Sequence, residues 1–140
     1  MRMRHIRFGW AIGLFDGEGS IGIYNDAVML RIAMTDFSAV EQFRKIVGVG
    51  TLRMNIRKDH RKTSLVWTLT SSSGIRQLLR AFMPFLVAKR EAAIIALRFM
   101  ASGRHAGQKR KLIEALRKVM IQRRGRRTRV GAGDGESRTR

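Results

Sequence analysis

The chain has no cysteine among its 140 residues, which excludes a disulfide framework and any thiolate metal site. Its three histidines, His5, His60 and His105, lie far apart and do not suggest an imidazole-built zinc site. No apolar run approaches the roughly 20 residues that span a bilayer. Met1 to Phe15 has the basic start of a signal peptide, but its apolar run is short. Asp16-Gly17-Glu18 stands where a small-residue cleavage site belongs. The expectation is an intracellular protein, in the cytoplasm or nucleoid of a bacterium or phage-infected cell, or in an organelle. Acidic residues are few beside the basic ones: 10 Asp+Glu face 29 Lys+Arg.

What is present is a folded chain with a large cationic excess. Hydrophobic residues make up 44% of a length suited to one core, which argues for a single globular domain. A net charge of +19 calls for a polyanion, most simply nucleic acid, with a membrane surface as the weaker alternative. The charge is spread out. Arg104 to Arg140 carries 13 Lys+Arg against 3 Asp+Glu, and the remainder is basic as well. The last stretch, from Arg123 to Arg129 and then a glycine-rich run, reads as a disordered basic arm over 123–140.

The pattern predicts a short helix over His5 to Asp16, then strands Ser20–Tyr24 and Val28–Met34 joined at Asn25-Asp26. Asp36 reads as a helix N-cap and Gly48 as its C-cap, with Val40, Phe43 and Val47 at helical spacing between them. A second hairpin pairs Thr51–Arg57 with Thr63–Thr70 across a polar turn. Helices follow from Ser71-Ser72-Ser73 to Pro84, from Val87 to Met100 and from Gln108 to Gln122. Hairpins alternating with helices give an α+β layer, an antiparallel sheet with helices on one face.

Alternation gives that sheet a dry side and a wet side. Leu52, Met54 and Ile56 alternate with Arg53, Asn55 and Arg57, and the other strands follow suit. The dry side packs on the helices. The wet side carries Ser20, Tyr24, Arg31, Arg53, Asn55, Arg57 and Thr68, and the turn adds Lys58, Arg61 and Lys62. Ordinary solvated faces mix both signs of charge. Here carboxylates occur only at the turns, so the face suits phosphates and guanine edges in a major groove.

Asp16-Gly17-Glu18-Gly19 is the exception in a basic chain. Two carboxylates end the first helix, where the macrodipole disfavours them. Beside DNA phosphates a carboxylate needs a cation between, and oxygen ligands suit Mg²⁺. Asp16 reads as a turn-bonding structural residue and Glu18 as the candidate metal ligand. Gly13 and Gly17, four residues apart, suggest close helix packing.

These residues resemble a family. Gly13-Leu14-Phe15-Asp16-Gly17-Glu18-Gly19-Ser20 is similar to the LAGLIDADG motif of homing endonucleases. Val47-Gly48-Val49-Gly50 and Met83-Pro84-Phe85-Leu86-Val87-Ala88-Lys89 resemble two further segments of that family. The resemblance implies an αββαββα unit over residues 5–122, its core at 5–102 and a helical extension at 103–122, with a saddle-shaped sheet over DNA. It implies Glu18 as catalytic acid and metal ligand, the Gly17 carbonyl as a second ligand, and Lys89 as the catalytic basic residue near the active-site water or the developing charge. It further implies Mg²⁺ (or Mn²⁺) as cofactor, and a homodimer interface at Trp10, Gly13, Leu14 and Gly17. With one motif, the chain would cut both strands of a near-palindromic double-stranded DNA site as a homodimer. The family often has Gln or Asn at the end of the second strand. Aligned through Thr35-Asp36, this is Met34, which cannot orient a water, so Asp36 or another polar group is left for that task. The alternative is a catalytically weak or inactive DNA-binding regulator, or an RNA-splicing maturase with RNA as partner.

Overall fold

The computed structural model describes residues 3–56, 62–103 and 105–130, the last nine of them in backbone only. The elements run α1 (Met3–Glu18), β1 (Gly19–Tyr24), β2 (Ala27–Met34), α2 (Phe37–Val47), β3 (Thr51–Asn55), β4 (Ser64–Leu69), α3 (Ser72–Phe82), α4 (Arg90–Ala101) and α5 (Ala106–Val130). This is the expected α+β order with two further helices.

Local chemistry sets the boundaries. Asn25 and Asp26 take φ of 48° and 60°, the left-handed pair that a two-residue hairpin turn requires, and Tyr24 pairs with Ala27 across it. The Asp36 carboxylate accepts the Ala39 N–H at 3.2 Å and caps α2. Gly48 closes α2 at φ 73°, and its N–H donates to the Arg44 carbonyl at 3.0 Å. Ser71 caps α3 through the Gly74 N–H. The helix stops at Phe82, and Pro84 lies in a 3₁₀ turn, Met83–Phe85.

The sheet is antiparallel in the order β1-β2-β4-β3. Its dry side buries Ile21, Val28, Leu30, Ile32, Leu65, Trp67 and Leu69 against α1 to α4. Phe15, Phe43, Phe82 and Trp67 form the centre. Phe43 meets Trp67 edge-on at 4.8 Å and Phe15 meets Phe82 at 5.8 Å. Such pairs add about 0.5–1.5 kcal/mol each beyond the area they bury. The Trp67 indole N–H donates to the Val49 carbonyl at 2.8 Å, and Arg44 Nε donates to the Gly50 carbonyl at 2.7 Å. Those two bonds fix the turn from α2 into β3. Gly50, at φ 89°, has no space for a Cβ, which would meet the Trp67 indole.

Three expectations need correction. The apolar side of β3 is not packed on helices: Leu52, Met54 and Ile56 are exposed, Met54 by 55%. β3 is one of the sheet's two edge strands, and the helices cover mainly the other edge, β1, together with β2 and β4. The first helix does not stop at Asp16 but continues through Glu18. The last helix does not end at Gln122 but runs to Val130, because arginine is a good helix former and only Gly125 opposes it. Of the arm expected over 123–140, residues 131–140 lie outside the described residues. Among the described residues, no helix is long and apolar enough to cross a membrane.

Candidate nucleic-acid interface

The register assembles the wet side row by row. Ser20, Arg31, Thr68 and Thr51 lie opposite one another across all four strands. Ala33, Val66 and Arg53 form the next row, and Ser64 with Asn55 the one after. Four strands at about 4.8 Å spacing make such a row roughly 14 Å wide, comparable to the roughly 12 Å of a DNA major groove. Arg31 and Arg53 are exposed, while Ser20, Asn55 and Thr68 are half-buried. At the hairpin end Tyr24 is 58% exposed. Its ring lies over Gly22, where any Cβ would collide with it. Lys62 is exposed. Arg57, Lys58 and Arg61 lie outside the described residues.

An acidic edge adjoins this face. Glu18 is the last residue of α1, exposed, immediately before Gly19 begins β1. Gly19 pairs with Ile32 in the first rung of the β1–β2 ladder, and Ala33 follows Ile32 on β2. Asp16, two residues earlier, turns the other way. Its carboxylate accepts three backbone N–H groups: Val87 at 3.2 Å, Ala88 at 3.0 Å and Lys89 at 2.8 Å. Lys89 Nζ donates back to the Asp16 carbonyl at 3.0 Å. The reading of Asp16 as a turn-bonding residue is correct, and the turn it holds lies 71 to 73 residues away. Partial burial by itself would raise the Asp16 carboxyl. The N–H donors of Ala88, Lys89 and Val87 and the Lys89 charge outweigh it and hold the group below its ordinary 3.8. The same bonds start α4 at Arg90 and bring the Lys89 ammonium to the C-terminal end of α1, where the macrodipole favours a cation.

Met34 ends β2 and Asp36 caps α2. Met34 faces the dry side, in the row of Leu65 and Met54, and packs against the core. The residue of β2 that faces the wet side at this end of the ladder is Ala33, which is exposed. The alternation Val28, Leu30, Ile32 already put Met34 on the dry side, and that was the missed signal. Asp36 is engaged at the start of α2. Its Oδ1 accepts from Ser38 Oγ at 2.6 Å and from Ala39, and these two bonds hold its carboxyl below the ordinary value.

Among the described residues, no three His, Cys, Asp or Glu side chains gather as a ready-made metal cage. The donors at the end of α1 still fit a hard divalent cation. Glu18 offers an exposed carboxylate, and the terminal carbonyls of a helix, Gly17 among them, have no intrahelical partner. Mg²⁺ takes one or two carboxylates and fills its remaining positions with water and substrate phosphates.

α1 is apolar on two sides. Phe8, Ala11, Ile12 and Phe15 pack into the core. Met3, Ile6 and Trp10 are exposed, Trp10 by 41%, and they continue at heptad spacing into Gly13 and Gly17. A Cβ at Gly9, Gly13 or Gly17 would meet nothing within 4 Å. Leu14 is half-buried beside them. A groove of about 1120 Å³ between α1, α2 and Phe85 flanks this stripe.

This architecture recurs in solved structures. The homing endonuclease I-CvuI, in complex with its target in 2 mM Ca, is 21% identical with a TM-score of 0.64, over 98% of this chain and 88% of that one. The archaeal intron-encoded homing endonuclease I-Vdi141I, complexed with DNA, is 13% identical with a TM-score of 0.64, over 97% and 90%. I-SmaMI, a LAGLIDADG homing endonuclease bound to an uncleaved DNA target with calcium, is 14% identical with a TM-score of 0.56. There the match covers 79% of this chain but 42% of I-SmaMI. The chain has the LAGLIDADG homing endonuclease fold. No protein-family model and no curated protein matches the sequence. α1 carries the segment from Gly13 to Glu18, with Asp16, Gly17 and Glu18 at its end.

Proposed function

We propose that the chain is a site-specific double-stranded DNA endonuclease that hydrolyses phosphodiesters with a divalent metal as a homodimer. The observation that carries this reading is the junction of α1 and β1. An exposed carboxylate, Glu18, stands at the edge of a cationic sheet face in a chain of net charge +19. A carboxylate there opposes DNA binding unless it serves a cation.

Arg31 and Arg53 hold phosphates or read guanine edges, and Tyr24, Ser20, Asn55 and Thr68 add adaptable contacts. Glu18 and the Gly17 carbonyl would hold the ion, Mg²⁺ or Mn²⁺. When bound, the ion supplies Lewis-acid stabilisation of charge developing on the phosphate. Lys89 contributes a positive charge at the same helix end, and Asp16 fixes the turn that carries Lys89. The exposed stripe of Ile6, Trp10, Gly13 and Gly17 is the surface for a second copy. It brings a second Glu18 to the other strand, so a near-palindromic site follows from two-fold symmetry. A match to less than half of I-SmaMI supports the view that this chain is one unit of a two-unit assembly.

One observation favours the second reading, a weakly cutting DNA-binding regulator or a maturase. Ala33, one residue past the Gly19–Ile32 pair on the wet side, offers no side-chain hydrogen bond, and the Asp36 carboxylate already serves a cap. Incubation with a randomised duplex library, with Mg²⁺ or with EDTA, separates the two. Staggered, symmetric, Mg²⁺-dependent ends support the endonuclease. Bound but uncut DNA supports the regulator, and preference for structured RNA supports the maturase.

A further inference from the structure

We propose that the C-terminal part of α5 is a second, sequence-independent contact to the same DNA duplex, gripping phosphates that flank the segment under the sheet. The inference rests on the sheet being the DNA-reading face.

α4 and α5 form a helical hairpin. α4 ends at Ala101, Gly103 takes φ 58° and α5 begins at Ala106. So short a connection makes the helices antiparallel neighbours, and Lys109 Nζ lies 5.2 Å over the Phe99 ring. Leu112, Ile113, Leu116 and Val119 of α5 pack against the core. The 12 residues of α4 are matched by the first part of a 25-residue α5. From Met120 to Val130 the helix therefore runs about 16 Å past Arg90. Arg90 directly follows the turn that Asp16 holds, at the end of α1 where Glu18 sits. Antiparallel pairing thus sends the extension out past the end of α4 that Asp16 ties to α1.

The sequence changes character there. The register positions that continue the packing seam beyond Val119 and Met120 hold Arg123, Arg126 and Arg127. From Ala106 to Val130 there are ten Lys or Arg and one acid, Glu114. Arg110, Lys111, Arg117 and Lys118 are already exposed in the first half. A helix without an apolar stripe has no core to lie on, and like charges three or four residues apart repel. A row of phosphates turns that repulsion into attraction. A membrane surface fits poorly, because an interfacial helix needs an apolar side that this one loses after Ile121.

The test uses the full chain with Arg123, Arg124, Arg126, Arg127 and Arg129 all changed to Gln, which keeps helix propensity. A second variant changes the same five to Lys, and a third is Arg53→Ala. Affinity for a long duplex carrying the cut site, and for a scrambled duplex, is measured across a salt series. Each phosphate contact contributes about 0.9 to the slope of log K against log salt. The Gln variant is expected to flatten the slope by about 3–4 per bound chain and to weaken both duplexes equally. Hydroxyl-radical protection should shrink at the flanks with the cut position unchanged. The Lys variant should restore the slope. An unchanged slope in the Gln variant, with Arg53→Ala still altering sequence preference, overturns the α5 contact and leaves the sheet reading standing. Loss of structured-RNA binding alone likewise overturns it. A wild-type chain with no affinity for duplex DNA overturns both.

Discussion

The Asp16 carboxylate accepts the backbone N–H groups of Val87, Ala88 and Lys89, and Lys89 returns its ammonium to the Asp16 carbonyl at 3.0 Å. This reciprocal tie joins the end of α1 to the start of α4 and fixes where Glu18 and Lys89 stand relative to one another. Asp16→Asn keeps one acceptor and loses the charge. It is expected to cost about 1 kcal/mol at pH 7, the lower end for a charge-assisted bond because the site is partly solvated.

The same carboxylate sets a pH dependence. Its folded pKa lies below the ordinary 3.8, so its stabilisation is fully present above that value. It is lost as pH falls through the lower, folded value. Urea unfolding of wild type and Asp16→Asn at pH 7 and at pH 3 should show the gap between them narrowing in acid. A gap that is constant with pH contradicts the tie.

Ala33 and Met34 make a paired prediction. Met34→Gln puts an amide on the dry side of the sheet and should destabilise the fold by about 1–3 kcal/mol without adding activity. Ala33→Gln puts the same amide on the wet side, one residue past the Gly19–Ile32 pair. It should leave the melting temperature nearly unchanged and raise the cleavage rate. Thermal melts and single-turnover cutting with both variants check the pair.

Gly13→Leu probes the exposed stripe of α1. Nothing within 4 Å of Gly13 obstructs a Cβ in the single chain, and leaving glycine favours a helix by about 1 kcal/mol. The fold should be kept or slightly stabilised while association is lost. Sedimentation should give the mass of two copies for wild type and of one for the variant. Equal masses would remove the stripe from the interface.

Gly50→Ala tests the aromatic centre. Its φ of 89° and the nearby Trp67 indole both oppose a Cβ. A loss of about 2 kcal/mol or more in urea unfolding is expected.

Much of the sheet was legible because period-2 patterns are local. Arg53 and Asn55 alternate with Leu52 and Met54 within one strand, and Arg31 with Leu30 and Ile32. Caps were legible for the same reason, as at Asp36 and Gly48. The acidic edge was legible as a charge anomaly in a short motif. Properties that depend on distant residues were not. Nothing near Asp16 names the Val87–Lys89 turn that it holds. The exposure of Met54 and Ile56 depends on β3 being the edge strand that the helices leave largely uncovered, which follows from the β2–β4 pairing and the helix packing rather than from β3 itself. The end of α5 was misplaced because a run of arginines with glycine reads as an arm, although arginine also sustains a helix.

The most direct measurement is cleavage and binding by wild type and Glu18→Gln on a randomised duplex library, in Mg²⁺ and in EDTA. The expected result is cutting by wild type in Mg²⁺ only, and no cutting by Glu18→Gln. Duplex affinity in EDTA should be equal or higher for the variant, since one negative charge has left the DNA face. Undiminished cutting by Glu18→Gln, or a parallel collapse of its DNA affinity, contradicts the assignment of Glu18 as the cation-holding acid.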